Sequence, residues 1–156
     1  MLIKNIIDED FVNFKLASMT IEMPYCSFKC DKECGINICQ NSALAQEPNI
    51  EISIEKLISR YLNNPISNAV IFQGLEPFDS WNDLYEFCKI FRRKSQDIII
   101  IYTGYNEDEI SAQVEQLSSF GNIIIKFGRF IPNKPHKFDE VLGVKLASDN
   151  QYAKFI

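Results

Sequence analysis

The chain has 156 residues, of which 46% are hydrophobic and 24% charged, with a formal net charge of -5 and a pI near 4.9. That length supports one globular core without covalent staples, and the acidic balance excludes a general nucleic-acid binder, which presents a basic surface to phosphates. No apolar run reaches the roughly 20 residues of a membrane helix, and an odd count of five cysteines without a basic-then-apolar leader sets the expectation of free thiols in the cytoplasm.

In chain order, residues 17–23 (ASMTIEM) alternate as a strand that Pro24 closes. The segment CSFKCDKECGINICQNS, residues 26–42, follows at once and carries four of the five cysteines. Ser53 then caps a helix whose apolar face is Ile54, Leu57, Ile58, Tyr61 and Leu62. Asn68 to Phe72 is a short apolar run suited to a strand covered on both faces, and it ends in Gly74-Leu75-Glu76-Pro77. Asp79 or Ser80 is the expected cap of the next helix, with Trp81, Leu84, Tyr85, Phe87, Cys88 and Phe91 on its apolar stripe. Asp97 to Tyr102 forms another buried strand, ending in Thr103-Gly104, and residues 107–119 a weaker amphipathic helix. Ile123 to Phe127 is the next strand, and Val141 to Leu146 is expected as the last, after a loop with Pro132, Pro135 and His136.

Strands alternating with helices predict right-handed βαβ units in an α/β domain spanning residues 1–156. About five strands are too few for the eight-stranded barrel, so the expected architecture is an incomplete, open (β/α) barrel with a mostly parallel sheet. Ligands of such sheets collect at the C-terminal strand ends, where the cysteine segment, Gly74-Leu75-Glu76-Pro77 and Thr103 all fall.

The four clustered cysteines admit three chemistries. Spacings of three, three and four residues allow local disulfides, although a reducing compartment opposes them. Four thiolates suit zinc, but the usual pair of cysteines two residues apart is missing. Thiolates converging from one flexible loop suit an iron–sulfur cluster, with Lys29 and Lys32 adding positive charge beside it. Outside this segment, Cys88 reads as a packed core thiol, His136 as a loop residue, and Lys126 as either a cavity or an edge residue. Glu107-Asp108-Glu109 complements the positive end of a helix dipole.

Cys26-Ser27-Phe28-Lys29-Cys30 resembles the opening C-x-x-x-C of radical S-adenosylmethionine enzymes. In that family three cysteines hold a 4Fe-4S cluster whose open iron binds S-adenosylmethionine, which is cleaved reductively to a 5′-deoxyadenosyl radical. The family's usual spacing is C-x-x-x-C-x-x-C, whereas here position 33 is Glu and cysteines stand at 34 and 39. Cys39-Gln40-Asn41-Ser42 is similar to the Cys-x-Asn-Pro of activating enzymes of anaerobic ribonucleotide reductase. The resemblance therefore implies Cys26, Cys30 and Cys39 as cluster ligands, with Cys34 a spare thiol or a rival third ligand. Gly74-Leu75-Glu76-Pro77 resembles the family's Gly-Gly-Glu-Pro, which contacts the amino group of S-adenosylmethionine, with Leu75 replacing the second Gly. A carboxylate and strand-end carbonyls are suitable acceptors for that ammonium. By the same resemblance Ile38 lies near the adenine and Thr103 belongs to the cofactor site. Tyr102-Thr103-Gly104-Tyr105, Gly128-Arg129-Phe130 and Leu146 to Gln151 look like further segments of the reductase-activating subfamily.

The implied function is a glycyl-radical activase acting on anaerobic ribonucleoside-triphosphate reductase, with a flavodoxin-like electron donor. Its rivals are a radical enzyme with another small-molecule or peptide substrate, and a non-catalytic iron–sulfur or zinc protein.

Overall fold

The chain, described over residues 1–156 in a computed structural model, opens with two strands for which the sequence raised no expectation: β1 (Leu2–Ile3) and β2 (Asn5–Asp10). β2 alternates exposed and half-buried residues, the pattern of a half-covered edge, and pairs antiparallel with β3 (Ser18–Met23), where five of six residues are buried. Within the cysteine segment the chain forms two short helices, α1 (Lys29–Cys34) and α2 (Ser42–Gln46). It then returns to β1 through β4 (Ile50–Glu51).

α3 (Ile54–Leu62) starts as expected, because Ser53 Oγ accepts from Lys56 N–H at 3.3 Å and Leu57, Ile58 and Tyr61 are buried on one face. β5 (Ala69–Gly74) leads into a 3-10 turn over Pro77–Ser80 and then α4 (Trp81–Arg92). Neither Asp79 nor Ser80 caps α4 with its side chain; Glu76 supplies the carboxylate for the Phe78 N–H, and Asp79 is committed elsewhere. β6 (Ile98–Tyr102), a 3-10 turn over Glu107–Ile110, α5 (Ser111–Ser118) and β7 (Ile123–Phe127) complete the alternating part.

The segment expected as the last strand is not in the central sheet. Only Val144–Leu146 is extended, as β9, and it forms a separate antiparallel hairpin with β8 (Lys137–Asp139). The turn between them explains this: Asp139 Oδ1 accepts from Leu142 N–H, Asp139 O accepts from Gly143 N–H, and Gly143 takes a φ of 72° that favours glycine. The outer place beside β7 goes to β10 (Tyr152–Phe155), running antiparallel.

The central sheet has the order β10-β7-β6-β5-β3-β2, with β3, β5, β6 and β7 mutually parallel and an antiparallel strand at each edge. It is a mixed α/β fold with a mostly parallel, open sheet; the ends do not meet to close a barrel. The period of two sorts the strand residues onto two faces. Met19, Ile21, Val70, Phe72, Ile99, Ile101, Ile123 and Ile125 pack with Leu57, Ile58, Leu84, Phe87 and Phe91 of the helices. Ala69, Ile71, Ile100 and Ile124 face the other way, onto Phe14, Leu142 and Leu146. Helices thus cover one face while loops and the hairpin cover the other, and each fully buried Phe, Leu or Ile contributes about 1.5–3 kcal/mol. Cys88 is fully buried in the helix-side core, as its stripe predicts. No helix is long and apolar enough to cross a membrane.

Candidate functional site

β3, β5, β6 and β7 point their C-terminal ends into one cavity of about 410 Å³. Cys26, Cys30, Ile38 and Cys39 line it from the cysteine segment, Gly74, Leu75 and Glu76 from the end of β5, Thr103 and Gly104 from the end of β6, and Lys126 from β7. Pro77 stands behind this wall, buried at the start of the 3-10 turn. Cys34 is exposed and lines a separate small recess beside Arg129 and Asn150.

Local geometry explains the turn after β5. Gly74 has a φ of 89°, and a Cβ there would lie 2.9 Å from Leu44 Cδ2 and 3.0 Å from Glu22 Cβ, so only glycine lets the chain pass between β3 and α2. Leu75, in the place of a second glycine, is buried, and the Glu76 N–H donates to Tyr25 O at 2.7 Å.

Glu76 carries a buried carboxylate with three donors: Thr103 Oγ1 at 2.7 Å and Phe78 N–H at 3.1 Å on Oε1, and Gly104 N–H at 2.8 Å on Oε2. Burial nevertheless pushes its pKa up to about 7, against the pull of those donors and with a further push from the Asp79 charge. A carboxylate has room for about four donors, so Oε2 retains acceptor capacity. Lys126 answers the sequence question by pointing inward: its ammonium is buried and donates to Thr103 O at 3.3 Å and Gly128 O at 3.0 Å. Burial pulls its pKa down to about 8, while the Glu76 and Cys30 charges work in the opposite direction. Two of its three donors are used, which leaves a cationic N–H for an anion in the cavity.

The thiols are free and shaped by the same low-dielectric wall. Burial raises the Cys26 pKa to about 12; the Phe28 N–H, 3.2 Å from Sγ, opposes this, and the charges of Glu76, Asp79 and Cys39 add to it. Burial likewise raises Cys30, opposed by the Phe130 N–H and the Arg129 guanidinium and reinforced by Cys39 and Glu76. Cys39 thus stands near enough to act electrostatically on both of the other thiols. Gly104 keeps the space between the two halves open: a Cβ there would sit 3.5 Å from both Cys30 Sγ and Glu76 Oε2.

Several contacts that build the site were not foreseen from the sequence. Asp31 Oδ1 accepts from the Ile38 and Cys39 N–H groups, each at 2.9 Å, and Asn41 Nδ2 donates to Gly74 O at 2.5 Å. Asp79 accepts from Ser27 N–H at 2.5 Å and from the Tyr105 hydroxyl at 2.6 Å, joining the cysteine segment to the β6 end. Arg129 makes two 2.6 Å bonds to Glu109, and its Nε lies 3.0 Å from Glu33 Oε1 in ion-pair contact without hydrogen-bond alignment. Lys29 reaches the same Glu109 at 3.2 Å, so α1 is held to the β7 end by an ion network. Glu109 therefore does more than complement a helix dipole. The sequence singled out Lys29, Asp79, Glu109 and the run Gly128-Arg129-Phe130 for other reasons; apart from the Asp31 bonds inside the cysteine segment, these contacts join groups distant in the chain. His136 is exposed in its loop, its Nδ1 3.2 Å from Leu146 O.

No three His, Cys, Asp or Glu side chains are gathered tightly enough to hold a single metal ion. Three thiols spread over a cavity wall are instead the kind of donor set a 4Fe-4S cluster takes, since each thiolate binds a different iron.

No curated protein and no solved structure matches this sequence. A family model described as a 4Fe-4S single cluster domain, a domain found in radical S-adenosylmethionine-related proteins, matches residues 18–151, from the start of β3 to the residue before β10. With most of its length covered by that model, and with three thiols on one cavity wall, the chain belongs to the 4Fe-4S single cluster domain family.

Proposed function

We propose that this protein is a radical S-adenosylmethionine activase that generates a glycyl radical on anaerobic ribonucleoside-triphosphate reductase, receiving its electron from a flavodoxin-like donor in the cytoplasm. Cys26, Cys30 and Cys39 hold the 4Fe-4S cluster, and S-adenosylmethionine occupies the rest of the cavity. The observation that carries this reading is the convergence of those three thiols with the buried Glu76 carboxylate and Thr103 on one cavity of about 410 Å³. When bound, a cluster held by only three thiolates supplies an open iron and the electron for reductive cleavage of S-adenosylmethionine.

The chain's own residues bind and orient. Glu76 Oε2, held in place by Gly104 N–H, accepts from the ammonium of the methionine moiety. Such a cation also favours the charged form of Glu76 against the burial that raises its pKa to about 7. Lys126 supplies a buried positive charge that offsets an anionic cluster or carboxylate. Ile38 and Leu75 line the cavity with apolar surface, which excludes water and offers a face for adenine, while Pro77 sets the 3-10 turn that presents Glu76. The sheet, open at both edges with helices on one face alone, is read as an incomplete (β/α) barrel of the radical S-adenosylmethionine type, forming one domain over residues 1–156.

The test is anaerobic reconstitution with iron and sulfide, followed by addition of S-adenosylmethionine, reductant and the reductase. The expected outcome is a brown protein whose reduced-cluster EPR signal shifts with S-adenosylmethionine, and then a glycyl-radical signal on the reductase. A colourless, zinc-loaded protein removes the radical chemistry altogether. Cofactor cleavage without a radical on the reductase transfers the chemistry to another substrate.

A further inference from the structure

Eight residues separate Cys30 from Cys39, where the resembling family places two between its second and third cysteines. A longer connection leaves its far end freer unless something ties it down. Here the tie is a single side chain. Asp31, immediately after Cys30, uses its backbone carbonyl to accept from Gly35 N–H at 2.8 Å, closing the turn that ends α1. Its Oδ1 then accepts from both Ile38 N–H and Cys39 N–H, each at 2.9 Å, where the chain comes back. Gly35 makes the reversal possible with a φ of 69°. Cys34 lies at the outer end of this excursion, exposed and outside the cavity, whereas Cys39 lies on the cavity wall.

We propose that Asp31 is the positioning residue that makes Cys39, rather than Cys34, the third thiol of the cluster; this rests on the reading that Cys26, Cys30 and one further thiol hold iron. Two charge-assisted bonds, donated by the Ile38 and Cys39 N–H groups to one carboxylate oxygen, fix the Cys39 backbone relative to Cys30 before any iron arrives. Asn41 extends the same bracket to the end of β5 through its bond to Gly74 O. Without Asp31, residues 35–39 lose their anchor, and Cys34, one helical turn from Cys30, competes for the open place.

The test compares wild type, Asp31→Ala and Asp31→Asn after anaerobic reconstitution. The readouts are iron per chain, iron loss to a chelator, and the cysteines alkylated by iodoacetamide, located by mass spectrometry. In wild type, Cys34 is expected to be modified and Cys39 protected. Outer-shell partners are worth roughly 10–100-fold in metal affinity, so Asp31→Ala is expected to release iron about tenfold faster or more, with Cys39 modified and Cys34 gaining protection. Asp31→Asn keeps an oxygen that accepts both N–H groups but without the charge, so it is expected to fall between wild type and Asp31→Ala, nearer wild type, which also controls for misfolding of the alanine variant. The proposal is overturned if Asp31→Ala retains iron like wild type with Cys39 protected, or if Asp31→Asn fails as fully as Asp31→Ala. A wild-type chain that takes up no iron condemns the cluster reading itself, a result distinguishable from either.

Discussion

Thr103 Oγ1 donates to Glu76 Oε1 at 2.7 Å, and this bond joins the end of β6 to the turn after β5 inside the cavity wall. It favours the charged carboxylate, yet burial still leaves Glu76 with a pKa of about 7, above its ordinary 4.5. A carboxyl raised in the folded state binds its proton more tightly there than in the unfolded chain. Its stabilising contribution is therefore full below about 4.5 and lost as pH rises through about 7. Thr103→Val removes a donor from the charged form and pushes the Glu76 pKa higher. Urea unfolding is expected to show a loss of about 1.5–3 kcal/mol at about pH 8.5, where the partner is a carboxylate, and about 0.5–1.5 kcal/mol at about pH 5.5. Thr103→Ser, which retains the hydroxyl, separates this effect from packing. Equal losses at both values would show that the bond does not discriminate between charge states.

Cys34 and Cys39 stand in different places, one exposed beside Arg129 and the other on the cavity wall. Cys39→Ala is expected to lose the intact cluster absorbance after reconstitution, and Cys34→Ala to keep it. The reverse pattern would exchange the two assignments.

Burial holds the Cys26 thiol near 12 and raises Cys30 as well, so both are protonated in the metal-free chain at neutral pH. Ligation requires thiolates, and each proton released makes affinity rise with pH, by up to about tenfold per pH unit per thiol. Iron retention against a chelator, corrected for the chelator's own protonation, is expected to increase steadily from about pH 6 to about pH 9. A flat profile would mean that the thiols are already ionised before iron binds.

Arg129 beside Glu109 holds that carboxyl down at about 2 from its ordinary 4.5. A depressed acid contributes stability above about 4.5 and loses it as pH falls toward about 2. The unfolding gap between wild type and Arg129→Met is therefore expected to be widest at neutral pH and to close on acidification, followed by the fluorescence of Trp81, the single tryptophan. A gap that does not vary with pH would assign Arg129 to packing alone. The same variant is expected to raise the Cys30 pKa further, because the guanidinium opposes the effect of burial there.

The chain by itself determined the alternation of strand and helix from β3 to β7, since apolar runs such as NAVIF and DIIIIY and the cap at Ser53 are local signals. It also placed the cysteine segment, Glu76 and Thr103 on the loops that follow β3, β5 and β6, at the C-terminal ends of the parallel strands. Sheet membership beyond β7 was not legible: Val141 to Leu146 has the composition of a strand, but hydrogen bonds to Asp139 make it the turn and arm of a hairpin, and β10 takes the place beside β7. The N-terminal β2, half acidic, acquires its identity by pairing with β3. Only the tertiary structure decided that Lys126 turns inward and that Cys39 faces the cavity while Cys34 faces out. Periodicity records which face of an element is apolar, whereas the direction of an irregular segment is set by bonds to distant groups, such as Asn41 to Gly74 and Arg129 to Glu109, that exist only once the chain has folded.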